Sequence, residues 1–131
     1  MIFEDDTFPR IDIKERLEEL SVQFNQLDFK DNIDLLYLGW YKCSGTSTSR
    51  PHFNKSKFHY TSHAYIVFRK FYDRLITVAG KLIEITKPIK GKDIGIDHIY
   101  KYSENSYYYT TRLFEQYTYP NTGKIHATSL V

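Results

Sequence analysis

The sequence predicts an α+β fold, a mostly antiparallel sheet of five to six strands with two helices and a C-terminal β-meander. Three observations predict it. Apolar residues recur at helical spacing from Ile13 to Leu27, strand-length apolar or alternating runs fill much of the remainder, and Pro, Gly and Asn clusters punctuate the second half at hairpin spacing. At 131 residues the chain suits one domain, 1–131, with a real core and residues 1–10 as a loosely ordered arm.

Asp12 followed by Glu15 forms a capping-box-like start, and Ile13, Leu17, Leu20, Phe24 and Leu27 then define a stripe, so a helix is predicted over about 12–27. Its other face, Lys14, Glu15, Arg16, Glu18, Glu19 and Gln23, is largely acidic: a solvated surface, or a surface for a protein partner. Leu35–Tyr41 is a continuous apolar and aromatic run suited to a buried strand. Trp40, the only tryptophan, either packs in the core or stacks on a base. Residues 44–51 are small and polar and read as a loop, with a lid as the functional alternative.

Two readings compete for the next segment. As a helix from about Ser62 to Ala79, Tyr65, Phe68, Tyr72 and Leu75 form the stripe, Ser62 the cap and Gly80 the stop. As a longer strand, His59, Thr61, His63, Tyr65 and Val67 share one face. Strand to Thr61 followed by helix is the preferred reading. Leu82–Ile85 then reads as a short strand, stopped by Lys87-Pro88. From Ile94 the pattern is β-meander: alternation to Tyr102, a turn at 103–106, a long strand from Tyr107 to Tyr119, a turn at 120–123, and a last strand over 124–131.

Composition narrows the function. The net charge of +2 conceals an asymmetry: residues 1–36 hold ten acids and four bases (net −6), the rest fourteen bases and six acids (net +8). The anion-attracting part is the second, compatible with a nucleotide or oligonucleotide ligand. The single Cys43 cannot form an internal disulfide, and no zinc-site spacing occurs. Met1–Asp6 is acidic where a signal peptide is basic, and no apolar run reaches membrane-spanning length. An intracellular chain without a membrane anchor, metal or cofactor is the expectation.

One phrase occurs twice: Lys57-Phe58-His59-Tyr60-Thr61-Ser62 and Lys124-Ile125-His126-Ala127-Thr128-Ser129. A His and a hydroxyl two residues apart on a strand face the same way, so two such strands brought together present two imidazoles and two hydroxyls to one anionic group. Metal-free phosphodiester chemistry needs a base for the attacking oxygen and an acid for the leaving oxygen, and His does both near neutral pH. His59 and His126 are therefore the candidate acid and base. Thr61 and Thr128 are candidate phosphate ligands, with Lys57, Lys124 and Arg112 supplying positive charge. Trp40, Tyr60 and Tyr108 are candidate base-stacking residues, Tyr108 from within the Tyr107-Tyr108-Tyr109 run.

His59-Tyr60-Thr61 and His126-Ala127-Thr128, 67 residues apart, resemble the twin His-x-Thr motifs of the 2H phosphoesterases. That family includes cyclic phosphodiesterases, RNA-ligase-like enzymes, and viral and phage members that destroy 2′,5′-oligoadenylates or cyclic oligonucleotides of host immune signalling. The resemblance implies a phosphodiesterase with both His as acid and base and both Thr on the phosphate. Two other classes compete. One is a binding or inhibitory module, such as a small viral, phage or immunity protein, gripping a macromolecule through an aromatic sheet face or the helix at 12–27. The other is a small metal-free ribonuclease of the toxin type.

Overall fold

The computed structural model describes residues 1–86 and 102–116, and within them all side chains but those of 58–62, 82, 83, 85 and 86. The elements in chain order are β1 (Ile2–Phe3), β2 (Thr7–Pro9), α1 (Ile13–Asn25), β3 (Leu35–Ser47), β4 (Phe53–Val67), α2 (Tyr72–Thr86), β5 (Ser106–Tyr109) and β6 (Phe114–Gln116). Single turns of 3-10 helix, Lys30–Asn32 and Arg69–Phe71, precede β3 and α2. A four-stranded sheet has the order β1-β4-β3-β5, and β2 and β6 form a second, two-stranded one. All pairings are antiparallel except β3 with β5. The architecture is α+β, with two helices and six strands among the described residues.

The apolar run starting at Leu35 is buried on both faces. Leu36 and Leu38 join one apolar cluster with Ala64, Ile66 and the stripe of α1, while Leu35 and Tyr37 join a second with Tyr65, Val67, Phe71 and Leu75. Alternate residues of one strand thus supply two cores. Leu35, Leu36, Tyr37 and Leu38 are at most 1% exposed, and each such side chain contributes about 1.5–3 kcal/mol by burial. α1 rests on this sheet through Leu20, with Ile13, Leu17 and Phe24 half-buried; Leu27 follows just beyond its end.

The β3–β4 hairpin is long and curled. The start of β3 pairs with β5 (Leu35↔Ser106, Tyr37↔Tyr108), and the start of β4, at the far end of the hairpin, pairs with the same strand (Phe53↔Tyr109, Lys55↔Tyr107). Register shifts between Tyr37 and Gly39, Gly39 and Trp40, and Ser44 and Gly45 provide the bend. At the last of these a Cβ on Gly45 would collide with the Lys55 carbonyl, so the strands close there only around glycine.

Several expectations are corrected. β4 continues through Thr61 to Val67, the alternative strand reading of that segment, and Ser62 caps no helix. The helix begins at Tyr72, after a 3-10 turn, and runs through Leu82–Ile85, where a strand was expected. Without a partner strand, the short apolar run simply continues the helical stripe before it. The expected strand from Tyr107 to Tyr119 is broken after Tyr109. Leu113 donates its backbone N–H to the Leu38 carbonyl at 2.8 Å, and β6 then pairs with β2 in the other sheet.

Asp12 stands at the N-cap of α1 but makes no side-chain cap bond. Its carboxylate accepts instead from Arg16 (3.0 Å) and Arg10 (3.2 Å), and these guanidiniums, Arg16 foremost, hold its pKa below the ordinary carboxylate value. Residues 1–10, expected as a loose arm, supply β1 and β2. The presumed loop at 44–51 is strand to Ser47, and its turn is tied by Thr48, whose hydroxyl donates to the Phe53 carbonyl at 2.6 Å. The turn before β5 is present as expected. It is held by Asp34, 7% exposed, which accepts from Ser103 and the Asn105 N–H and meets Lys70 Nζ at 3.4 Å. Of the expected strand from Ile94 to Tyr102 only Tyr102 is described, and it lies in a turn; the expected strand at 124–131 lies outside the described residues.

Candidate functional site

Trp40 follows the Leu38–Gly39 irregularity of β3 and is half-buried. The Arg112 guanidinium lies 5.0 Å from the centroid of its indole, and Tyr108 meets it edge-on at 5.6 Å and 75°. Arg112 comes from the irregular segment between β5 and β6, the break that sequence periodicity missed. A guanidinium over an indole is attracted by the ring quadrupole, at about 0.5–1 kcal/mol for a partly wet pair. Arg112 also meets Glu115 at 3.4 Å, so its charge is shared.

Three sequence-predicted site residues therefore converge, although they take unequal parts. Tyr108 is only 9% exposed and its hydroxyl accepts from Asn54 at 2.9 Å; its ring braces Trp40, with no free face for a base. Trp40 and Arg112 keep some access. The indole Nε1 is buried and has no hydrogen-bond partner among the described residues.

The first copy of the repeated phrase runs alongside. Its backbone, Lys57–Ser62, is extended within β4, and the β3–β4 register sets Ser62 opposite Trp40, Tyr60 opposite Lys42 and His59 opposite Cys43. Lys57 is exposed. His59, Tyr60 and Thr61 are placed by backbone only, and Lys124, His126 and Thr128 lie outside the described residues.

A second polar centre escaped the sequence reading except for its histidine. His63 falls where β4 carries one residue more than β3, between the pairs Gly39↔Ala64 and Trp40↔Ser62, and is 2% exposed. Its Nε2 donates to the Phe114 carbonyl at 3.0 Å, which leaves Nδ1 as a buried lone pair without a partner among the described residues. Burial holds its pKa below the ordinary imidazole value, with Arg112 adding to that and the Phe114 bond, Glu115 and Asp6 opposing it. Its own carbonyl accepts from the Glu4 N–H (3.0 Å) and Thr7 Oγ1 (2.8 Å). Gln116 Nε2 donates to both Glu4 (3.2 Å) and Asp6 (3.0 Å), completing a polar knot that ties β2 and β6 to β4. The available signal was Gly39, a lone glycine inside an apolar run, which marks a bulge or a close approach.

On β4, positions 59 and 63 stand about 13 Å apart along the strand, too far for the two histidines to hold one metal ion. Cys43 lies beside Ser56 Oγ at 3.8 Å, and burial pushes its thiol up to about 11. The thiolate is the reactive form, so alkylation of Cys43 at pH 7.5 should run about two orders of magnitude slower than for a free thiol of pKa near 8.5. Timed iodoacetamide labelling with mass detection measures this; a rate like that of glutathione would contradict it.

Among the described residues, no group of three or more His, Cys, Asp or Glu side chains is arranged to hold a metal ion, and no helix is long and apolar enough to cross a membrane. No known protein family, curated protein or solved structure matches the chain.

Proposed function

We propose that the protein carries out metal-independent phosphodiester chemistry on a nucleotide or oligonucleotide, with His59 and His126 dividing the acid and base roles. The observation that carries this reading is the Arg112–Trp40 pair, set at the β3 position whose antiparallel partner is Ser62, the last residue of the first repeated phrase. An indole offers a base a π face, and the adjacent guanidinium offers a phosphate its charge. Beside them, β4 carries His59 and Thr61 two residues apart on extended backbone, the spacing that the chemistry asks for. The resemblance of the twin His-x-Thr motifs to those of 2H phosphoesterases supports the same reaction class. Substrates of that class are a cyclic phosphate, a 2′,5′-linked oligonucleotide or a cyclic oligonucleotide.

The test is turnover of these three substrates in the presence of a chelator, by the wild-type chain and by His59→Ala, His126→Ala and the double variant. Either single replacement should lower turnover by about 100-fold or more with unchanged thermal unfolding, since loss of one acid or base removes that much. Arg112→Ala should weaken apparent binding by about tenfold, as expected for a charge-assisted bond. Unchanged activity in the double variant would sink the enzyme reading. If nucleotide binding then survived but was lost with Trp40→Ala, the protein would be a binding module.

A further inference from the structure

A groove lies on the α1 side of the sheet, away from the Trp40 pair. Between α1 and the sheet runs an apolar groove of about 270 Å³, with Leu17, Leu20 and Phe24 on the helix side and Leu36, Ile66 and Phe68 on the other. Ser21 and Asn25 complete it, so its walls hold no charged group. It adjoins a second cavity of about 250 Å³ through two shared residues, Phe24 and Phe68, whose rings are stacked at 5.6 Å and 9°. That cavity has a different lining. The 3-10 turns at Lys30–Asn32 and Arg69–Phe71 face it with Lys30, Arg69 and Lys70, against one carboxylate, Asp31. Lys70 is committed to Asp34, but neither Lys30 nor Arg69 has an ion-pair partner among the described residues.

We infer that this groove binds a small anionic amphiphile, its alkyl chain along Leu17, Leu20, Leu36 and Ile66 and its carboxylate or phosphate head at Lys30 and Arg69. Two features select that occupant. An uncharged trough beside cations that have no ion-pair partner among the described residues matches a molecule with one apolar end and one negative end. A neutral chain leaves the cations unused, and a cationic head is repelled by them. The two cavities together reach the range of small-molecule sites, about 300–1,000 Å³. The site is independent of the phosphodiester reading, because none of its residues belongs to the Trp40–Arg112 pair or to the repeated phrases.

The experiment is calorimetric titration of the full chain with decanoate, decyl phosphate, decanol and decyltrimethylammonium, each below its micelle concentration. Decanoate or decyl phosphate should bind at least tenfold more tightly than decanol, with the ammonium weakest; the stronger of the two anions identifies the head group. Lys30→Glu and Arg69→Glu should each weaken the anion about tenfold and leave decanol unchanged. Ser21→Trp, at an exposed position on the groove wall, should block both, with Asn25→Trp as a second blocking variant should the first fail to fold. Absence of anion binding, equal binding of anion and alcohol, or binding indifferent to the blocking variants would each overturn the inference.

Discussion

Replacing Gly39 by alanine is expected to destabilise the protein by about 3 kcal/mol, the sum of two effects with one cause. A Cβ at this position would stand 2.6 Å from His63 Cδ2, 2.7 Å from His63 Nε2 and 2.9 Å from the Phe114 carbonyl oxygen. None of these can retreat cheaply: the ring is fully buried, and the carbonyl belongs to the first residue of β6. Overpacking of this kind costs about 1–3 kcal/mol. Because the added carbon would stand within 3 Å of both partners of the His63–Phe114 hydrogen bond, it also threatens a buried pair whose loss costs about 1–3 kcal/mol. In a domain of this size the total lowers Tm by about 10 °C. The mechanism is testable apart from the magnitude. If the collision with the ring is the cause, Gly39→Ala should cost less in a His63→Ala background, with a coupling energy of about 1–3 kcal/mol in a double-mutant cycle. Additive losses would mean that the Phe114 carbonyl, and not the ring, is what the glycine makes room for.

The same position shows what was legible in the sequence. Period and apolarity identified α1, the buried run of β3 and the α+β class, because each depends on residues within one or two turns or strand repeats of one another. The extent of β4 was not legible, since Tyr65, Val67 and Phe68 satisfy a helical and a strand period alike and the choice is made by pairing with Leu35–Tyr37, some thirty residues away. The break after Tyr109 has the same origin: Leu113 leaves the aromatic run to bond Leu38, a partner that only the bulge at Gly39 exposes. Of the candidate site, Trp40 and Arg112 were named from residue type and do meet. Tyr108 was assigned to a ligand on the same grounds and is buried against Trp40. Residue type can nominate aromatic and cationic groups, but burial decides which keep a free face. The His63 centre draws on Glu4, Asp6, Thr7, Phe114 and Gln116, which sequence spacing could not have brought together.

Replacing His63 by alanine should cost about 3 kcal/mol at pH 7.5 and less at pH 5. At neutral pH the variant loses a fully buried ring and leaves the Phe114 carbonyl without its donor, a cavity and an unmet acceptor together. The pH dependence follows from protonation. In the folded chain Nε2 carries the hydrogen that bonds Phe114, so an added proton must go to Nδ1, which is buried and has no acceptor among the described residues. Burial therefore depresses the folded pKa below that of the unfolded chain, against the weaker pull of the Phe114 bond, Glu115 and Asp6. For a histidine shifted in this direction the unfolded state binds more protons. The neutral ring's contribution is complete above the unfolded pKa, near 6.5, and is lost as pH falls from there through the folded value. Each unit of depression removes about 1.4 kcal/mol of stability over that interval. Urea denaturation at half-unit steps from pH 7.5 to 5 should show the wild-type curve falling toward that of His63→Ala. The two proteins differ at this residue alone, so the difference between the two curves isolates His63. A gap that stayed constant, or widened, toward pH 5 would mean that the imidazolium is accommodated in the folded chain, with the Asp6 carboxylate as the group to replace next.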